Sequence, residues 1–168
     1  MTTNASTLWD LIKDIKFAMF TTHGADGHLH SRPLTTITRG ETPQEEAGAL
    51  WFFVSRTSDM AQDIARDAQV NLAYAHPGHD RYVSVAGTAA LVEDRAQKQA
   101  LWNKGVEAWF PGGVNDPDLA LLRVEVSHAH YWDVKESKLT QAIEIMRAAA
   151  THRRPEMGRE GEVRGRAH

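Results

Sequence analysis

Apolar and polar positions along this chain change period several times, and each change marks a predicted element. Leu8, Leu11, Ile12 and Ile15 recur at helical spacing, which predicts an opening amphipathic helix that Asn4, Ser6 or Thr7 could cap. From Phe17 the run FAMFTTH favours a strand. Gly24-Ala25-Asp26-Gly27 then supplies hairpin-turn chemistry. A return strand is expected from about His28 to Thr38, with Pro33 implying an edge position, a bulge or a break. Residues 39–49 are polar and turn-rich, and read as a loop. In residues 50–55, Leu50, Phe52 and Val54 alternate with Trp51, Phe53 and Ser55. Both sets are largely apolar, so this strand should be covered on both faces.

Ser58-Asp59 opens a predicted short helix through about Arg66. QVNLAYA follows as a strand with Val70, Leu72 and Tyr74 on one face. Pro77-Gly78-His79-Asp80 turns the chain into RYVSVAGTAALVE, a strand long enough to bend at Gly87. A helix is expected from Asp94 to about Ala108. WFPGGVNDPD is irregular because of its prolines and glycines. LALLRVEVSHAHYWDV is a further strand and KESKLTQAIEIMRAAA the last helix. Six strands with helices around them do not alternate as parallel βαβ units would. They favour a mainly β (α+β) fold, an antiparallel barrel with peripheral helices. From His152 onward the chain holds five arginines, three glutamates and three glycines. Residues 1–151 therefore read as one domain and residues 152–168 as a flexible charged tail.

Composition narrows the chemistry. The 168 residues suit one domain with a real core. A net charge of −3 offers no broad footprint for nucleic acid or anionic membranes. The chain has no cysteine, which excludes disulfides, thiolate metal sites and cysteine nucleophiles. No run is apolar enough to span a bilayer and the first residues lack signal-peptide character, so a cytoplasmic location is expected. The P-loop, dinucleotide-binding, nucleophile-elbow and zincin signatures are all missing.

Four groups of residues could carry chemistry. In Ser31-Arg32-Pro33-Leu34, Arg32 could present its fork to a phosphate or a ring carbonyl, or could make an ordinary salt bridge at a sheet edge. Ser55-Arg56-Thr57-Ser58 lies between a strand and a helix start, where hydroxyls and free N–H groups could cradle phosphate or simply cap the helix. Trp102, Trp109, Phe110 and Trp132 could stack on a flat ring, or be core and contact residues. His28/His30 and His128/His130 are His-x-His pairs that could ligate a metal, although no carboxylate lies at a convincing spacing. No metal site is assigned from them.

Taken in order, FAMFTTH, SRPLTTI, LWFFVSRTSDMAQDI, QVNLAYAHPGHDRYVSVAGTAALVED, the W-x6-WFPGG-x3-DP segment and LLRVEVSHAHYWDV resemble the pyridoxamine 5′-phosphate oxidase-like split barrels. Within that family the nearest likeness is to the general stress protein 26 branch. The resemblance implies a six-stranded antiparallel split β-barrel, homodimeric, with FMN between the subunits. By position it implies Arg32, Pro33 and Leu34 along the flavin ring, and Phe53, Val54 and Ser55 on the neighbouring strand edge. Thr57 and Ser58 would meet the phosphate, and Ser84 and Val85 the ring region. Trp132 and Lys138 would come from the other subunit, and Trp109 would close the pocket. Asp59-Met60 stand where the family commonly has lysine or arginine, which disfavours a phosphate dianion and keeps FAD beside FMN as a cofactor. The implied activity is flavin-dependent oxidoreduction of an unidentified small molecule. Alternatives are a non-catalytic flavin-binding stress protein, a deazaflavin-dependent reductase on the same fold, or a metal protein built on the His-x-His pairs. No residue is assigned as a catalytic acid or base.

Overall fold

A computed structural model describes residues 2–3, 5–37, 48–134, 138–151 and 159–164. In chain order the elements are β1 (Thr2–Thr3), α1 (Ala5–Ile12), β2 (Ala18–His23), β3 (Leu29–Leu34), β4 (Ala49–Ser55), α2 (Asp59–Arg66), β5 (Gln69–His76) and β6 (Arg81–Val92). They continue with α3 (Arg95–Leu101), α4 (Lys104–Glu107), β7 (Leu119–Asp133), α5 (Lys138–Thr151) and β8 (Arg159–Arg164).

Strands β2 to β7 form the six-stranded antiparallel half-barrel expected from the sequence, in the spatial order β3-β2-β5-β6-β7-β4. β3 and β4 are not paired with each other among the described strands; the segment after β3 reaches β4 through Ile37 N, which donates to Trp51 O at 2.8 Å, so the barrel is split. Pro33 lies on β3, which pairs only with β2 among the described strands. A residue without an N–H is tolerated at such an edge. The bend expected at Gly87 is a register shift between Ala86 and Gly87 against β7. There the Glu125 carbonyl oxygen approaches to 2.6 Å of where a side chain would begin, so only glycine fits.

The period-two pattern sorts residues onto two faces. Phe20, Phe52, Leu72, Val85, Leu122 and Val124 fill the barrel, with Phe20 and Phe52 edge-to-face at 5.4 Å. Leu8, Trp9, Leu11 and Ile12 of α1 join this core. β4 is covered on its other face too, where Trp51 packs with Ile37, Leu101 and Leu121.

Three expectations change. The helix expected over 94–108 is two helices, because Trp102 is extended and the Asn103 side chain caps α4 by accepting from Gly105 N. The return strand ends at Leu34 rather than Thr38, where Thr36 instead bonds the Tyr74 hydroxyl at 2.7 Å; position 38 and residues 39–47 of the expected loop lie outside the described residues. Within the tail read as flexible, residues 159–164 form β8, antiparallel to β7 and parallel to β1. Backbone bonding to the free edge of β7 needs little side-chain hydrophobicity. Among the described side chains of β8, Val163 alone is buried in the core, and Gly161 leaves room for the Tyr131 ring.

Candidate functional site

Strand registers place several of the expected residues on one outer surface. Pro33, Met19, Ala73, Ser84 and His130 are successive cross-strand neighbours from β3 to β7. Ala75, Tyr82 and Trp132 form the adjacent row. Met19, Tyr82 and Trp132 are 43%, 41% and 42% exposed, and the Trp132 ring lies 4.4 Å from that of His130. Ser84 Oγ accepts from Asn71 Nδ2 at 3.0 Å on the same surface. A flat aromatic ligand could stack on this shelf of proline, methionine and aromatic side chains.

The neighbours of these residues point the other way. Arg32 and Val85 belong to the inner row with Phe20 and Leu72, and Leu34 packs against the barrel core. Arg32 Nη1 donates to Thr22 Oγ1 at 2.6 Å, and Thr22 donates to Asp63 Oδ2 at 2.8 Å. Arg66 closes the group, donating to Asp63 Oδ1 at 2.9 Å. The run Arg32-Pro33-Leu34 therefore does not present three side chains to one ring. Val54 and Val85 are core side chains, so only their backbone could meet a ligand.

The turn after β4 does gather Ser55, Thr57 and Ser58, but around a protein carboxylate. Ser55 Oγ donates to Asp118 Oδ2 at 2.6 Å. Thr57 donates its amide at 3.1 Å and its hydroxyl at 3.0 Å to Asp118 Oδ1. The bonds from Ser55 and then Thr57 hold the Asp118 carboxyl below the usual carboxylate range. Ser58 takes the plainer of its two roles: its Oγ caps α2 by accepting from Ala61 N at 3.2 Å. Arg56 is ion-paired with Glu93. That bond holds the Glu93 carboxyl down and the Arg56 guanidinium up. Beside this turn opens a cleft of about 400 Å³. Its cations Arg56, Arg95 and Lys98 are matched by Glu93, Asp94 and Asp116.

Phe53 meets Trp102 edge-to-face at 5.9 Å, on the covered side of β4. Trp109 is 81% exposed. Lys138 opens α5, and its side chain is outside the described residues. The His128/His130 pair has the carboxylates that local spacing failed to supply: Glu162 lies 2.8 Å from His128 and Glu160 lies 2.7 Å from His130, both from β8. Among the described residues no group of three or more histidine, aspartate or glutamate side chains could hold a metal ion.

Residues 3–156 match the family model described as pyridoxamine 5′-phosphate oxidase like. The chain belongs to that family. Within it, the chain is 31% identical over 102 residues to general stress protein 26 of Bacillus subtilis, covering 59% of this chain and 67% of that one. The structure resembles that of a general stress FMN/FAD binding protein from Xanthomonas citri, with 33% identity, a TM-score of 0.66, and coverage of 80% of this chain and 90% of that one. Protein bli-3 of Neurospora crassa is 30% identical over 126 residues, 69% of this chain but only 58% of its own length.

A member of the pyridoxamine 5′-phosphate oxidase-like family invites a test of its flavin fit, and the two halves of the ligand fare differently. The outer shelf suits a planar ring. The turn after β4, as arranged, does not suit a dianion: Ser55 and Thr57 serve Asp118, Ser58 serves α2, and Arg56 serves Glu93. The Met60 side chain, near where the family commonly carries a cation, is buried in the core.

Sequence reasoning missed Asp118, Thr22 and Asp63. Asp118 gave no local signal, since its partners lie 61 and 63 positions away. Thr22 did signal itself: it is a polar residue on the Ala18/Phe20 face of a strand, a core position.

Proposed function

We propose that this protein binds a flavin, FMN or FAD, against the outer shelf of β2, β3, β5, β6 and β7, and that two copies of the chain enclose it. The supporting observation is the exposure of Tyr82 and Trp132 beside Pro33, Met19 and Ser84, an aromatic surface of a kind that water covers poorly and a flat ring or second subunit covers well. Family membership and the flavin named for the Xanthomonas citri relative support the same reading. A bound flavin would supply reversible electron transfer to a small molecule, while the chain's residues supply position and shielding. Trp132 would limit water access to the ring. His130, paired with Glu160, lies on the shelf and is assigned no proton transfer.

The visible spectrum of freshly purified protein, with chromatography of whatever is released on denaturation, tests this reading. Yellow protein releasing FMN or FAD is expected. Colourless protein that stays colourless on adding either flavin contradicts it. Bound flavin that reduced nicotinamide never bleaches would retain the binding and remove the redox role. Sedimentation velocity with and without flavin checks the paired state, expected as a dimer and contradicted by a monomer in both.

A further inference from the structure

We infer that Asp118 is an internal occupant of the anion turn between β4 and α2, and that this chain consequently discriminates against the phosphate of a flavin that enters there. The inference rests on the flavin reading above for its ligand, but its geometry is independent of it. A carboxylate accepting from Ser55 Oγ, Thr57 N and Thr57 Oγ1 is hydrogen-bonded as a phosphate oxygen would be, by charge-assisted bonds. The neighbouring donors offer no second place. Ser58 Oγ donates to the Ser55 carbonyl at 2.7 Å while capping α2, and Arg56 is held by Glu93 and the Pro117 carbonyl. A phosphate reaching Thr57 must displace Asp118 or sit beside its negative charge. Asp118 can be displaced, because it ends the irregular segment before β7 and is only partly buried. Its own amide is held by Asp116 Oδ1 at 2.9 Å and its carbonyl by Arg56 N at 2.7 Å, so the backbone would keep its place while the side chain swings away.

FMN and riboflavin, which differ only by the phosphate, are titrated into the full chain and into its Asp118→Ala and Asp118→Asn variants, following flavin fluorescence. FMN is expected to tighten by about tenfold or more in Asp118→Ala, the worth of one charged hydrogen bond regained, with riboflavin nearly unchanged. Asp118→Asn keeps the shape and removes the charge, so it should move FMN in the same direction by less. Equal changes for both flavins, or weaker FMN binding in both variants, overturn the inference. In parallel, inorganic phosphate is titrated while the Thr57 amide resonance is followed. A saturable shift in the variants and none in the parent chain supports the inference, whereas the same response in all three contradicts it. If no form binds either flavin, the flavin reading fails and the Thr57 resonance alone decides the role of Asp118.

Discussion

Arg32 rests on the hydroxyl of Thr22, its Nη1 donating to Oγ1 at 2.6 Å. Thr22 is almost wholly buried and donates its own hydroxyl hydrogen bond to Asp63 of α2, so one threonine joins β3, β2 and a helix. The arginine of the Ser31-Arg32-Pro33-Leu34 run thus ties β3 to β2 and α2.

Thr22→Val keeps the shape and removes both bonds, leaving Asp63 and Arg32 short of a partner. The expected cost is about 1–3 kcal/mol, read as a lower urea midpoint at unchanged slope. Thr22→Ser should restore most of it. Equal midpoints for the parent and valine forms would mean the network is idle.

Gly87→Ala places a methyl group against the Glu125 carbonyl at the bulge of β6. Backbone cannot yield as a flexible side chain does, so a loss of about 1–3 kcal/mol is expected. Thermal denaturation checks it, and an unchanged midpoint would show that the bulge can relax.

Val163→Asp sets an unpaired charge into the row that packs on Ala129, where it should release β8. Hydrogen exchange at the amides of residues 129–133 is expected to accelerate relative to those of 119–125, which β4 covers. Uniform exchange along β7 would show that β8 contributes no protection.

Acid should act through carboxylates whose hydrogen bonds hold them below their ordinary values, Asp118, Asp26 and Asp67 among them. A depressed native value means the unfolded chain takes up protons first. Stability from these groups is therefore complete above the unfolded value of about 4 and is lost as pH falls through the native ones. Thermal midpoints should drop more gently below about pH 4 in Asp118→Asn than in the parent chain. Parallel curves would contradict the role given to its bonds.

Much of the barrel was legible because it rests on local pattern. Alternation in residues 50–55 announced a strand covered on both faces, and Trp51 and Phe52 are indeed buried on opposite sides. Gly87 announced its bend. What escaped detection depends on partners distant in sequence. β8 has one apolar anchor, Val163, and owes its existence to the edge of β7. Asp118 reaches the turn at Ser55 and Thr57 only after β4 and β7 pair. The division between Arg32 and Pro33 is different: strand alternation already sends consecutive residues to opposite faces, and resemblance to a motif obscured it.

A flavin ring against Trp132 is the contact on which the proposed function depends most directly. Mixing the protein with riboflavin, which carries no phosphate to complicate the comparison, and recording the flavin difference spectrum and fluorescence answers this. The predicted result is a saturable band shift with quenched fluorescence, much weakened in Trp132→Ala. A flavin spectrum indistinguishable from that of free riboflavin at every protein concentration would contradict it.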